Sequence, residues 1–242
     1  MKLSMIRTIL LLIITATLLT GCLYKTQEST SPRIISKEAL RNVQGAIDQY
    51  YADHQLLPIL NSDSSIHKYE KYRVDFQKLK RELYIENIPT SAFENGGNYY
   101  YIIQNEEVDP IIKGLNIHIL QKVNDMQKAV DSFEQTNGKW PFGEPVSDGF
   151  YTLDYEQLST KRPELISPFS GQTVDMMLHE SGKIFINYAS DIMQLIQAKG
   201  LSSLEQYDDL SELLVEHSDY VPVRSALYRY ENNMPVAYLK TS

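Results

Sequence analysis

The strongest constraint on the fold is that the chain repeats itself. Shifting it by 83 residues lays Leu40 on Val123, Val43 on Met126, Gln44 on Gln127, Ala46 on Ala129, Ile47 on Val130, Asp48 on Asp131, Tyr50 on Phe133 and Pro58 on Pro141. Self-similarity at a fixed offset is the mark of one supersecondary unit used more than once. In both copies the apolar residues recur at helical spacing. The pattern predicts one helix from the candidate cap Ser36 to His54 and another near 116–137, ending at Asn137-Gly138 before Pro141.

Past a variable loop the likeness resumes at an offset of 79, where Tyr72-Arg-Val-Asp75-Phe-Gln-Lys-Leu79 meets Tyr151-Thr-Leu-Asp154-Tyr-Glu-Gln-Leu158. Pro89 to Phe93 then parallels Ser167 to Gly171, and strand-like runs follow. The first copy has Tyr99 to Gln104. The second has Val174 to Leu178 and Ile184 to Tyr188, a hairpin joined at Glu180-Ser181-Gly182-Lys183. Tyr99 to Gln104 matches one or other of that pair. Beyond the repeats, Ser190 or Asp191 is placed to cap a short helix through Ala198 that stops at Gly200, and a second helix is expected from Ser203 to His217. Tyr220 to Tyr230 and Val236 to Leu239 read as a closing β-hairpin. The expected fold class is α+β: two tandem units, each a long helix packed on a small antiparallel sheet, plus a C-terminal helix and β-hairpin.

The N-terminus is a different kind of sequence. Lys2 and Arg7 precede an apolar stretch from Ile9 to Leu19, a charged region and short apolar core in the manner of a signal peptide. That stretch is too short to span a hydrocarbon core, which takes about 20 residues. Leu19-Thr20-Gly21-Cys22 resembles the lipobox of bacterial lipoproteins, which implies cleavage before Cys22 and a diacylglyceryl group on its thiol. Cys22 is the single cysteine, so no disulfide competes for it, and two acyl chains give durable membrane attachment. Leu23 to Pro32 is almost wholly polar and reads as a flexible tether. The expected organisation is a signal peptide over 1–21, a lipidated tether over 22–34, α+β units over 35–112 and 113–200, and a C-terminal helix and hairpin over 201–242.

Composition then excludes partners. Loss of Lys2 and Arg7 reduces the 23 basic residues to 21 against 31 acids, a net charge of −10. Nucleic-acid binding shows a basic footprint, and anionic lipid attracts basic clusters, so the chain is expected to bind no nucleic acid and to meet the membrane through its lipid alone.

Two further resemblances bear on fold and location. Ala129 to Pro141 and Ser167-Pro-Phe-Ser-Gly171 are similar to the helix-end and loop signatures of type IV pilin and pseudopilin heads, although a lipobox stands where those proteins carry their assembly helix. Over its whole length the chain resembles the YphF-type lipoproteins of bacilli, through the lipobox, Asp48-Gln-Tyr-Tyr-Ala-Asp53 with its downstream Leu57-Pro58, Ser167 to Gly171, and His217-Ser-Asp-Tyr-Val-Pro-Val223. The resemblance implies a location and carries no known activity.

No catalytic constellation stands out. The histidines His54, His67, His118, His179 and His217 lack zinc-ligand spacing, and His217-Ser218-Asp219 holds triad residue types as sequence neighbours, where they seldom face one another. Glu106, Glu107 and Asp109 lack the EF-hand pattern. No metal or cofactor is therefore expected. The chain has 17 tyrosines, and Tyr50-Tyr51 and Tyr99-Tyr100-Tyr101 put rings on both faces of their elements. In a two-layer unit one set would be exposed, so Tyr50, Tyr51, Tyr99, Tyr100 and Tyr101 are the candidate binding surface. The leading expectation is a non-enzymatic module that binds another exported protein or a wall component. The alternatives are a solute-binding lipoprotein of a transporter and a cell-wall hydrolase.

Overall fold

The computed structural model describes residues 35–60, 63 and 66–240. The signal peptide, Cys22 and the tether over 22–34 lie outside the described residues. Helix α1 (Lys37–His54) starts where Ser36 Oγ accepts the Ala39 N–H at 3.0 Å and ends at Gln55 in the left-handed conformation. Its buried stripe is Leu40, Val43, Ile47 and Tyr50. It packs on the antiparallel hairpin of β1 (Tyr99–Gln104) and β2 (Ile111–Asn116) through Tyr99, Tyr101, Ile103 and Ile112. Two further segments extend the sheet beyond β1. Val74 N–H bonds to Tyr101 O and Asp75 N–H to Pro58 O, at 2.9 and 2.8 Å. Asp75 then caps α2 (Phe76–Arg81), which adds Phe76 and Leu79 to the same core.

β2 runs directly into α3 (Ile117–Asn137), capped by Asn116 and closed by Gly138 at φ 66°. The expected boundary between residues 112 and 113 therefore falls inside a strand. The second sheet contains β3 (Phe142–Ser147), β4 (Phe150–Leu153), β5 (Leu165–Ile166), β6 (Thr173–His179) and β7 (Ile184–Asn187). β6 pairs with β7 on one side and with β4 and β5 on the other, and β3 lies beyond β4.

The aligned residues make matching bonds. Gln44 Nε2 donates to Asp48 and to Pro110 O, both at 2.8 Å, while its Oε1 accepts the Ile112 N–H at 2.9 Å. Gln127 does the same with Asp131, Gly182 O and Ile184 N–H, all at 2.8 Å. Each helix thus clamps the start of a hairpin's second strand. The Pro58–Asp75 bond likewise recurs as Asp154 N–H to Pro141 O at 3.0 Å. By these bonds Tyr99–Gln104 is the counterpart of Thr173–His179, and β2 the counterpart of β7.

The remaining chain closes both sheets. Helix α4 (Ala189–Lys199) is followed by a 3₁₀ turn at Leu204–Gln206, α5 (Ser211–Glu216) and the hairpin of β8 (Leu227–Glu231) and β9 (Met234–Tyr238). Neither Ser190 nor Asp191 caps α4, since Asn187 Oδ1 accepts the Ala189 N–H. The single helix expected over 203–217 is broken because Leu210 N–H goes to Tyr228 O and Asp209 Oδ1 accepts from Ser211 and Tyr228. Backbone groups that would continue the helix are held by β8 instead. Strand-like residues between α5 and β8 bridge both sheets, with Tyr220 beside Gly114 and Ser225 beside Ile186. Asn232 and Asn233, at φ 49° and 64°, form the two-residue turn of the last hairpin.

The first sheet is covered on both faces. Ile102 and Leu115 belong to the large core that also holds Val123, Val130, Ile186 and Leu213. The arrangement is α+β, with this sheet as a middle layer.

Candidate functional site

Covering both faces changes what the tyrosines can offer. Tyr50, Tyr99 and Tyr101 are buried, at 2%, 4% and 1% exposure. Tyr50 lies beneath His54 and Tyr84, Tyr99 beside Tyr220, and the Tyr101 hydroxyl shares a 2.7 Å bond with Ser91 Oγ. These three are core residues and present no contact surface. Tyr51 is 40% exposed. Tyr100 is half-buried under the Arg73 guanidinium, 3.7 Å from its ring centroid, with exposed Phe93 at its edge.

Polar groups converge elsewhere, in a cleft of about 550 Å³ between the two halves. One wall is the 3₁₀ turn Lys68–Glu70 and the residues leading into it. The other comprises Gln127 and Asp131 of α3, Trp140, and the β6–β7 turn. Trp140 packs on Gly182, where an added Cβ would come within 2.4 Å of the indole. At φ 78° the position also demands a left-handed backbone, so glycine is required twice over.

Glu70 and Arg224 join the walls. Arg224 Nε donates to Glu70 Oε1 at 2.9 Å and its terminal nitrogen to Asn124 Oδ1 at 3.0 Å. Glu70 is buried, and burial pushes its carboxyl above the usual range against the pull of Arg224. Arg224 has a left-handed backbone, φ 48°. It stands where the C-terminal segment leaves the first sheet and meets the second, giving its carbonyl to Ile186 N–H. That bend directs the guanidinium into the seam.

His67 is fixed in one neutral tautomer. Its Nε2 lies 2.8 Å from the Ser225 carbonyl, which can only accept, while Nδ1 accepts the Tyr69 N–H. Burial lowers its pKa to about 4. Behind it, Lys68 Nζ donates to Asp209 at 2.6 Å, and Asp209 accepts from Ser211, which meets the Tyr69 hydroxyl. Asp131 and exposed Lys183 complete a cleft with both charge signs and one indole face.

Such a lining can hold a polar ligand that carries both charges. His179 Nδ1 lies 2.9 Å from Ser181 Oγ, but the same nitrogen accepts the Ser181 N–H, which marks a local turn contact. Ser218 Oγ donates to Leu214 O, so His217, Ser218 and Asp219 form no triad. Among the described residues no group of three or more His, Cys, Asp or Glu side chains could hold a metal. Among them, too, no helix is long and apolar enough to cross a membrane.

The family described as YphF family N-terminal domain matches residues 36–116. That interval runs from the Ser36 cap to the last residue of β2. No curated protein and no solved structure matches the chain.

Proposed function

We propose that the chain is an exported lipoprotein of the YphF type, anchored through a lipid on Cys22, with a non-enzymatic body built from two copies of one helix-and-hairpin unit. Its ligand, a segment of an exported protein or a wall component bearing both charges, is taken in the cleft between the copies. The observation that carries this reading is the Glu70–Arg224 pair. A buried ion pair is weak support for stability, and a left-handed arginine is a cost that gathers at functional positions. Both occur together in this cleft beside an accessible lysine and an indole.

Co-sedimentation of the full-length protein in micelles with purified wall sacculi, together with crosslinking to exported proteins, tests the binding. Lys183→Glu reverses an exposed charge at the rim and is expected to fold normally and lose capture. Undiminished capture by that variant contradicts the assignment. Anchoring is tested separately, since Cys22→Ser is expected to leave an uncut precursor.

A second reading has one observation in its favour. Glu70, raised by burial, and Asp131 line the same cleft, as an acid and a base do in glycoside hydrolysis. Wall-polymer turnover that disappears in Glu70→Gln would favour the hydrolase.

A further inference from the structure

The ends of α1 and α2 meet at His54. Its Nε2 lies 3.1 Å from the Tyr84 hydroxyl, which donates to Asp53 at 2.7 Å, and 3.7 Å from the Glu82 carboxylate. Two leucines flank this junction. Leu56, two residues past α1, is 65% exposed, and Leu83, between Glu82 and Tyr84, is 88% exposed. Exposed leucines scattered singly are ordinary, but Leu83 carries a second cost. α2 ends in a Schellman motif, in which the Leu83 N–H bonds to Lys80 O at 3.2 Å and the Tyr84 N–H to Leu79 O at 2.9 Å. Leu83 is the left-handed residue of that motif, at φ 65°. Glycine takes this place without strain, so the cap itself gives no reason for a leucine there.

Strained residues of this kind gather at functional positions, and the charges around the leucines indicate what they meet. The last turn of α2 carries Lys78, Lys80 and Arg81. Lys80 is exposed and makes no ion pair with a described residue. The Arg81 side chain is 68% exposed, 3.8 Å from Glu82. The neighbouring carboxylates are engaged within the fold, Asp53 by Tyr84 and Glu82 by His54 and Arg81. Exposed leucines beside open basic side chains suit a bilayer surface, where apolar groups enter the acyl boundary and cations stay among the phosphates. A lipid on Cys22 keeps that surface within reach. Helix α1, with 18 residues, is about 27 Å long, and the chain from Cys22 to Ser36 can extend more than about 40 Å. We infer that Leu56 and Leu83 dip into the membrane surface, a second contact that orients the body on the bilayer. The inference rests on the anchoring proposed above.

The test uses the full lipidated chain in vesicles of equal parts phosphatidylcholine and phosphatidylglycerol. A bimane dye is placed on Leu56→Cys or, as control, on Val108→Cys, which is 90% exposed between β1 and β2. Spin-labelled lipid is expected to quench the dye at 56 at least twofold more than the dye at 108. Leu83→Gly suits the left-handed cap, so it should keep or raise Tm while at least halving the quenching at 56. The mass of the recovered chain shows separately whether Cys22 carries lipid. A lipid-free Cys22 is replaced by serine and the labelled chain titrated with the same vesicles. Saturable quenching that Leu83→Gly weakens then keeps the contact without the anchor. The inference is overturned if the dye at 56 is quenched no more than the dye at 108, or if Leu83→Gly leaves the quenching unchanged. Crosslinking from position 56 to an exported protein, without quenching by vesicles, would also overturn it and assign the leucines to a protein partner.

Discussion

The two halves share a clamp and differ in their loops. Gln44 and Gln127 each bind a carbonyl and an N–H two residues apart at the start of a hairpin's second strand. The edge segments that follow are connected differently. In the second half β3 reaches β4 through Asp148-Gly149 alone. In the first, the corresponding edge segments are separated by the excursion that carries His67–Glu70 across to Arg224 and Ser225. Residues committed to pairing have little freedom to change without opening the sheet. An excursion has that freedom, and the charged cleft is built where the halves diverge.

The largest expected effect attacks that excursion. Glu70→Ala leaves the half-buried Arg224 guanidinium without its carboxylate and should destabilise the protein by about 3 kcal/mol in urea unfolding. A loss below about 1 kcal/mol would mean that the excursion is only laid against the second half. Next come the clamps. Gln44→Leu and Gln127→Leu each remove two strand bonds and should cost about 2 kcal/mol apiece. Unequal losses would show that the shared geometry does unequal work in the two halves.

Acid tests the same seam. His67 has a pKa of about 4 when folded against 6.5 when unfolded, so the unfolded chain takes up its proton first as pH falls. Its contribution is complete above about pH 6.5 and is lost on the way down to pH 4, a change of about 2 kcal/mol after allowing for partial solvent access. Glu70, raised when folded, has the opposite slope, its contribution falling as pH rises through its folded pKa. The difference between the parent and His67→Gln, followed by urea unfolding over that range, isolates the histidine. The smallest effect belongs to the surface. Tyr51→Ser should change stability by no more than about 0.5 kcal/mol in the same unfolding measurement.

Much of the scaffold was legible because local chemistry dictates it. Ser36, Gly138 and Gly200 punctuate helices in the sequence as they do in space. The offsets of 83 and 79 are real spacings between groups that bond alike, since Pro58 meets Asp75 as Pro141 meets Asp154. The matched glutamines inside apolar stripes were a visible signal of a shared tertiary bond, although their partners were not visible. Tyr51 is exposed opposite buried Tyr50, whereas Tyr100 is half-buried, because a second core that nothing local announces lies behind β1. The cleft was illegible for a similar reason. It combines residues near 67–70, 127–131, 140, 183 and 224, brought together when the C-terminal segment bends at Arg224 from one sheet to the other. The likeness to pilin heads rests on the sequence signatures alone.

Trp140 is the only tryptophan in the chain and lines the cleft, so its emission reports occupancy directly. The decisive measurement is a fluorescence titration of the full-length protein in micelles with soluble wall-derived peptides carrying free amino and carboxyl groups. The account predicts a saturable change in Trp140 emission that is weakened at least tenfold by Lys183→Glu and by Asp131→Asn, with the folded spectrum of each variant otherwise retained. Saturable capture of those peptides with unchanged Trp140 emission, or the same affinity in both variants, would contradict it.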